Sequence, residues 1–181
     1  MQKYLIFLPL LLFACQPGPQ KEVPPADYQP EQKLAALNIQ LPEVSKPVAN
    51  YVNAVRTGNL LFLAGKGPGL PGQERMEGKL GSDLTIELGY AAAREIAIKQ
   101  MAVLKAELGD LRKVKRIVKV VGMVNSAPDF TDQPKVVNGF SDLMVDVFGE
   151  KGKHARAAVG MAGLPGNIPV EIDVVVEVYA D

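Results

Sequence analysis

The sequence predicts an α+β domain in which two long helices cover one face of a β-sheet. Segments with strand and helix patterns follow one another in the order two strands, helix, strand, helix, two strands. The last of them alternates apolar with acidic residues, which is typical of a strand with one covered face. Hydrophobic residues make up 48% of the 181-residue chain, which suits one folded domain with short appendages.

The predicted strands are rich in β-branched residues and are bounded by turn signals. They lie at residues 48–56, 60–64, 114–125, 155–164 and 170–179. Thr57-Gly58-Asn59 predicts a hairpin between the first two, and residues 165–169 separate the last two, which we expect to pair. In the final strand, valine and isoleucine point to one side, and Glu171, Asp173 and Glu177 point to the other.

The predicted helices follow from apolar residues that recur every three or four positions. Residues 85–108 predict a long helix that ends at Gly109. Its apolar face carries Ala97, Met101, Leu104 and Leu108. A second long helix begins at Asp132, the expected N-cap, and ends at Gly149. A short helix is predicted at 31–37.

The N-terminus predicts export. Lys3 precedes eleven mainly apolar residues, which as a helix are too few to cross a bilayer. Leu12-Phe13-Ala14 and then Cys15 resemble a bacterial lipobox, so Cys15 is the expected lipidation site; the alternative is an ordinary signal peptide with an incidental Cys. We predict a signal peptide at 1–14, a lipidated Cys and Pro-rich tether at 15–30, and a domain at 31–181. The predicted location is the periplasmic face of a bacterial membrane, the outer membrane being favoured.

Composition excludes several classes of function. The 20 basic and 20 acidic residues cancel, so the chain lacks the positive surplus of nucleic-acid-binding proteins. A single Cys excludes internal disulfides and Cys-cluster metal sites, and a single His excludes a two-histidine acid–base pair. We therefore expect no bound metal and no nucleic-acid partner.

Three patterns suggest chemistry but are explained as well by structure. Gly67-Pro-Gly-Leu-Pro-Gly72 matches the dinucleotide-binding spacing, yet no helix opens directly after it, so an exposed loop is predicted. His154 stands alone near a strand start and is expected to be solvated or to cap. Ser126 and Ser141 have no His partner in a nucleophile motif.

Arg156 and Glu171 are the strongest candidates for a binding site. The neighbours of Arg156 are small alanines, which leave room for a ligand beside a guanidinium that suits a bidentate carboxylate. Glu171 opens the last strand on its acidic side. The alternative is that both are charges on the surface or at the sheet edge.

Three segments carry a resemblance to a known family. They are His154-Ala-Arg156-Ala-Ala-Val-Gly-Met-Ala-Gly-Leu164-Pro165 with Val170-Glu171-Ile172, the stretch from Asn50-Tyr51-Val52 to Ala64-Gly65-Lys66, and Val137-Asn138-Gly139-Phe140. From about Leu41 onward the chain resembles the YjgF/RidA family of the chorismate-mutase-like superfamily, also called endoribonuclease L-PSP. The resemblance implies a mixed six-stranded sheet with two helices on one face, assembled as a homotrimer with sites between subunits.

The resemblance also implies an activity and a site. Such proteins hydrolyse 2-imino acids, tautomers of enamines, to 2-oxo acids and ammonia without metal or cofactor. Arg156 would anchor the carboxylate of a small substrate, and Glu171 would orient the attacking water. The substrate-binding positions would be Tyr51, Gly65, Asn138 and Ala158. Ala158 replaces a common Cys, and Lys66 stands where deaminases tend to have Gln.

Two other functions remain open from the sequence. One is a trimer that binds small carboxylates at Arg156 without catalysis. The other is an endoribonuclease, which the zero net charge, the single His and the predicted export disfavour. If the last two strands form a hairpin, Arg156 and Glu171 share a face about 20 Å apart. That distance predicts that they meet on one ligand only across a subunit boundary.

Overall fold

The computed structural model of the protein describes residues 22–180. The predicted signal peptide at 1–14 and Cys15 lie outside the described residues. The helices and strands are α1 (Pro30–Ala36), β1 (Ala54–Thr57), β2 (Leu60–Lys66), α2 (Ile86–Leu108), β3 (Val114–Asn125), α3 (Gln133–Phe148), β4 (Ala155–Met161) and β5 (Val170–Val178). Short 3₁₀ turns lie at Leu111–Lys113, Gly149–Gly152 and Pro165–Asn167.

The strands form one mixed sheet in the order β1-β2-β5-β3-β4. β3 and β4 run parallel, and the other neighbouring pairs are antiparallel. The expected six-stranded sheet is therefore wrong, since the described residues form five strands. The first predicted strand, at 48–56, is observed only as Ala54–Thr57, because the residues before Ala54 follow an irregular path with the side chains of Val48, Tyr51 and Val52 exposed.

The last two strands do not form the expected hairpin, because β3 lies between them. α3 connects the end of β3 to the start of β4, and such a helical crossover returns the chain in its original direction. β4 is therefore parallel to β3 and lies at the edge of the sheet. β5 occupies the centre, between β2 and β3.

The helices α2 and α3 pack on one face of the sheet, as predicted. The Thr85 hydroxyl caps α2 by accepting a hydrogen bond from the Leu88 N–H, and the helix ends at Gly109 with a φ of 73°. Gly139 brings α3 close to α2, because a Cβ at this position would overlap the Tyr90 carbonyl. The core is largely apolar and includes Ile96, Met101, Leu104, Val120, Phe140, Leu143, Ile172 and Val174.

The short predicted helix is present as α1, so the domain has three α-helices. The Glu31 carboxylate accepts a hydrogen bond of 2.9 Å from the Leu111 N–H. Just before α1, the Tyr28 hydroxyl donates to the Val114 carbonyl at 2.9 Å, and the Lys151 ammonium lies 5.0 Å from the Tyr28 ring. The described end of the predicted tether thus contacts the domain. Of the helices in the described part of the chain, none is both long and apolar enough to cross a bilayer.

Candidate active site

Arg156 extends from the edge strand toward α3. It lies in register with Val120 of β3, whose side chain is buried under the helices, and parallel partners project to the same face. Its Nη1 donates hydrogen bonds of 2.9 Å to both Asn138 Oδ1 and Ser141 Oγ on α3. Among the described residues no other polar group engages the guanidinium, so its remaining N–H groups are available to a carboxylate.

The chain path explains why these groups meet. α3 and β4 run in opposite directions around the short turn at Gly149–Gly152. Residues at similar distances before and after such a turn lie side by side, so Asn138 and Ser141 reach His154 and Arg156. The family resemblance implies that Asn138 is a pocket residue, and in the structure its side-chain oxygen accepts a hydrogen bond from Arg156.

His154 contacts Ser141, a pairing that the sequence did not reveal. His154 Nδ1 lies 2.6 Å from the Gly152 carbonyl, and its Nε2 lies 3.1 Å from Ser141 Oγ. Because a carbonyl only accepts, Nδ1 carries the proton, and in the neutral ring Nε2 accepts from the Ser141 hydroxyl. Burial lowers the pKa of His154, the Gly152 hydrogen bond raises it, and the charge of Arg156 lowers it; the pKa is lowered on balance, which favours the neutral ring. The helix–turn–strand return is the signal that could have predicted this contact.

Glu171 lies on the opposite, uncovered face of the sheet, next to Asp173 and Gly65. A Cβ at Gly65 would overlap the Glu171 carboxylate and lie 3.0 Å from an Asp173 oxygen, so both carboxylates lie against the β2 backbone. Burial raises the pKa of Glu171, and the charge of Asp173 raises it further. Burial also raises the pKa of Asp173. The sequence did not single out Asp173 as a site residue.

Arg156 and Glu171 do not share a face, so the predicted arrangement is wrong. Val120 aligns with Arg156 on one side, while Glu171 aligns with Met123, three residues further along β3. Because side chains alternate along a strand, residues an odd number of positions apart point to opposite faces of the sheet. β4 and β5 are two strand spacings apart, and Arg156 and Glu171 are offset by three residues along the strand direction. Together these separations put the two Cα atoms about 14 Å apart. Within one protomer the sheet therefore separates the guanidinium from the carboxylate.

The other predicted positions divide between the two faces. Ala158 lies two residues beyond Arg156, aligned with Gly122, and packs on the helix side of the sheet. Gly65 lies beneath Glu171. Tyr51 lies before β1 with half of its side chain exposed. Some of the predicted residues thus form two groups, one on the helix side of the sheet with Arg156 and one on the uncovered side with Glu171. Within one protomer the structure does not bring all of them together.

A cleft opens beside the guanidinium. Its volume is about 220 Å³, and its walls are Ser141, Val145, Lys153, His154 and Arg156. This space suits a small ligand whose carboxylate meets Arg156. Across residues 22–180, no group of three or more His, Cys, Asp or Glu side chains is placed to hold a metal ion.

Comparisons with known proteins agree with the fold. The model of a family described as YjgF/chorismate mutase-like, candidate endoribonucleases, matches residues 31–179. Protein TCP17 of Trypanosoma cruzi is 47% identical to this chain over 145 residues, which cover 80% of this chain and 91% of TCP17.

Two solved structures have the same architecture and substantial sequence identity. Atu1372 of Agrobacterium tumefaciens is 43% identical, with a TM-score of 0.77 over 82% of this chain and 92% of its own. A protein of Shewanella oneidensis, named as a candidate endoribonuclease, is 33% identical, with a TM-score of 0.79 over 83% of this chain and 99% of its own.

Proposed function

Because the chain belongs to the YjgF/RidA family of chorismate-mutase-like proteins, we propose that it hydrolyses 2-imino acids or their enamine tautomers to 2-oxo acids and ammonia. The observation that carries this proposal is the guanidinium of Arg156. It is fixed by Asn138 and Ser141 and keeps free N–H groups at the edge of a small cleft. A group fixed in this way pays little entropy when it binds a planar carboxylate.

The proposed reaction also requires a base that takes a proton from the attacking water, and Glu171 is the proposed base. A carboxyl group whose pKa is raised by burial and by the Asp173 charge accepts a proton more readily than an ordinary carboxylate. Water attacks the C=N carbon and gives a proton to Glu171. Glu171 passes that proton to the nitrogen, which gives a tetrahedral adduct with one hydroxyl and one amino group. The hydroxyl proton then moves to the nitrogen, again through Glu171, as the C=O bond forms and the C–N bond breaks, and ammonia leaves. No redox partner enters this balance, and a bound imine needs mainly positioning and proton transfer.

The proposal includes a homotrimer with sites between subunits. Arg156 and Glu171 lie on opposite faces of the sheet, so a site that uses both requires Arg156 of one protomer and Glu171 of another. Exposed large apolar side chains support such an assembly, because isolated domains rarely leave many of them in water. Five of them lie close together in the chain: Val48, Tyr51 and Val52 before β1, and Val55 and Phe62 in the first two strands.

Export and lipid anchoring also remain part of the proposal. Their support is the sequence of the first fifteen residues, with Cys15 at the lipidation position. Expression of the full chain in a bacterium should place it in the membrane fraction. Cys15→Ser should move it to the soluble fraction, and an unchanged distribution would argue against a lipid anchor.

Ammonia release from enzymatically generated 2-iminopropionate tests the activity. Arg156→Ala should lower kcat/KM by about 10- to 100-fold, as expected for the loss of a charged contact to substrate. Arg116→Ala removes a mostly exposed arginine of the same sheet and serves as the matched control. If wild type and Arg156→Ala release ammonia equally, the deaminase proposal fails. Carboxylate binding that Arg156→Ala alone removes would then favour the non-catalytic trimer.

An endoribonuclease is the second candidate because the family description and the Shewanella protein carry that name. It requires RNA cleavage that persists through rigorous removal of contaminating nucleases and that Arg156→Ala abolishes. Cleavage that is equal in both proteins would count against it.

A further inference from the structure

A second cavity lies at the other end of the sheet from Arg156. It has a volume of about 250 Å³ and lies between α2, the end of β2 and the segment before β1. Two lysines line it, Lys66 at the end of β2 and Lys99 on α2. The other walls are largely apolar and include Pro42, Val44, Leu70, Pro71, Ala102 and Val103, but Glu43 and Ser45 also line the cavity. Strands β5 and β3 separate this region from β4, so Arg156 does not belong to it.

The two ammonium groups have unused hydrogen-bonding capacity. Lys99 Nζ donates to the carbonyls of Gly67 and Pro68, at 2.8 and 3.2 Å, and Lys66 Nζ donates to Asn53 Oδ1 at 2.5 Å. An ammonium carries three N–H groups, so three of the six remain without a protein acceptor. Within the described residues, neither lysine has a carboxylate near enough for an ion pair.

The cavity therefore contains two partly buried ammonium groups and one lining carboxylate, that of Glu43, which forms no ion pair with either lysine. Burial lowers the pKa of both lysines, and the charge of Lys66 lowers that of Lys99 further. Glu95 offsets this partly, but its carboxylate is engaged by the Gly69 N–H at 2.8 Å. A ligand anion between the two ammonium groups would relieve their repulsion and use their free N–H groups.

We propose that this cavity binds a small organic carboxylate with an apolar body. The carboxylate would lie between Lys66 and Lys99, and the body would contact the apolar walls. Since a water molecule occupies ~30 Å³ in the liquid, the volume corresponds to about eight water molecules, which is room for a small organic acid. The apolar walls favour this ligand over inorganic phosphate, which would leave them in water. The site is independent of Arg156 and of the proposed deaminase activity.

Calorimetric titration of the full protein with hexanoate and with benzoate tests the proposal. We expect saturable binding of at least one of them, and at least tenfold weaker binding of hexanol, which lacks the charge. Inorganic phosphate at the same concentration should not displace the carboxylate. Absence of saturable binding by both carboxylates overturns the proposal.

Substitutions assign the binding to this cavity. Lys66→Gln and Lys99→Gln keep a donor for Asn53 and for the loop carbonyls, so both should fold, which thermal unfolding checks. Each should weaken carboxylate binding at least tenfold, while the exposed Lys135→Gln serves as the matched control. Arg156→Ala should leave this binding unchanged. Binding that both glutamine variants retain, or that Arg156→Ala alone removes, overturns the proposal and leaves the activity test unaffected.

Discussion

The hydroxyl of Ser141 connects Arg156 to His154. Its oxygen accepts from Arg156 Nη1, and its proton points to His154 Nε2. The Gly152 carbonyl holds the other side of the imidazole at 2.6 Å. This series of hydrogen bonds fixes the direction in which each proton points. It persists only while the imidazole is neutral, because a protonated Nε2 no longer accepts a hydrogen bond.

The stability of the fold should therefore depend on the protonation of His154. Above about pH 6.5 the imidazole is neutral in both folded and unfolded chains and adds no pH dependence. Below that pH the unfolded chain takes up the proton first, because burial lowers the pKa of His154 in the fold. The folded state thus loses stability as pH falls, until the pH is also below the lowered pKa.

His154→Gln removes this titration and keeps an acceptor for Ser141. Urea unfolding between about pH 7 and pH 5 should show a smaller loss of unfolding free energy in the variant than in wild type. Because the titrations of Glu171 and Asp173 are common to both proteins, the difference isolates His154. If the unfolding free energies of wild type and variant fall equally as the pH is lowered, the expected role of the imidazole is contradicted.

Among the structural elements, α2 holds two strands in place through one buried side chain. Gln100 is fully buried, and its Nε2 donates 3.0 Å hydrogen bonds to the carbonyls of Ala64 in β2 and Ile172 in β5. The register between these strands shifts between Leu63 and Lys66. Gln100 thus satisfies backbone acceptors at an irregular place and fixes the β2 backbone on which the Glu171 carboxylate lies.

Gln100→Leu should destabilise the domain. The substitution conserves much of the volume but leaves the carbonyls of Ala64 and Ile172 without their donor, which costs about 1–3 kcal/mol of unfolding free energy. Urea denaturation measures the loss. Gln32→Leu, on an exposed position of α1, is the control and should change the free energy by less than about 0.5 kcal/mol. Equal stability of the two variants would contradict the bridging role of Gln100.

The elements themselves were largely predictable, but their pairing was not. Local patterns placed α2, β3 and β5 within a residue or two of their observed bounds, because burial imposes a period on each sequence. Which strands lie next to each other depends instead on the crossover connection through α3, and no local sequence pattern predicts that connection. This is why the expected hairpin failed and why Arg156 and Glu171 were placed on the same face. The contact between Ser141 and His154 was missed for a different reason, since it follows from the local return of the chain at Gly149–Gly152, which the sequence prediction did not include.

In the whole molecule, the sheet separates the two groups that the proposed reaction needs. β4 holds Arg156 at the edge, and central β5 holds Glu171 on the uncovered face. A rotational trimer uses the same two patches at each interface, one from each neighbour, and so repeats a shared site three times. Light scattering coupled to size exclusion should give about three times the protomer mass. A monomer with full activity would contradict the shared site.

Mixing two inactive variants tests the shared site directly. Arg156→Ala and Glu171→Gln should each lose activity, because each removes one of the two groups from every site. After the variants are mixed one to one, unfolded and refolded together, a site is intact when Arg156 comes from one variant and Glu171 from the other. In randomly assembled trimers, the protomer that supplies Arg156 to a site has an intact Arg156 with a probability of about one half. The neighbour that supplies Glu171 has an intact Glu171 with the same probability, so about one quarter of the sites should be restored. The variants refolded separately and then mixed are the control, and their activity should stay at the level of the single variants. If joint refolding restores none of the activity while trimers form, the two residues do not act across a subunit boundary.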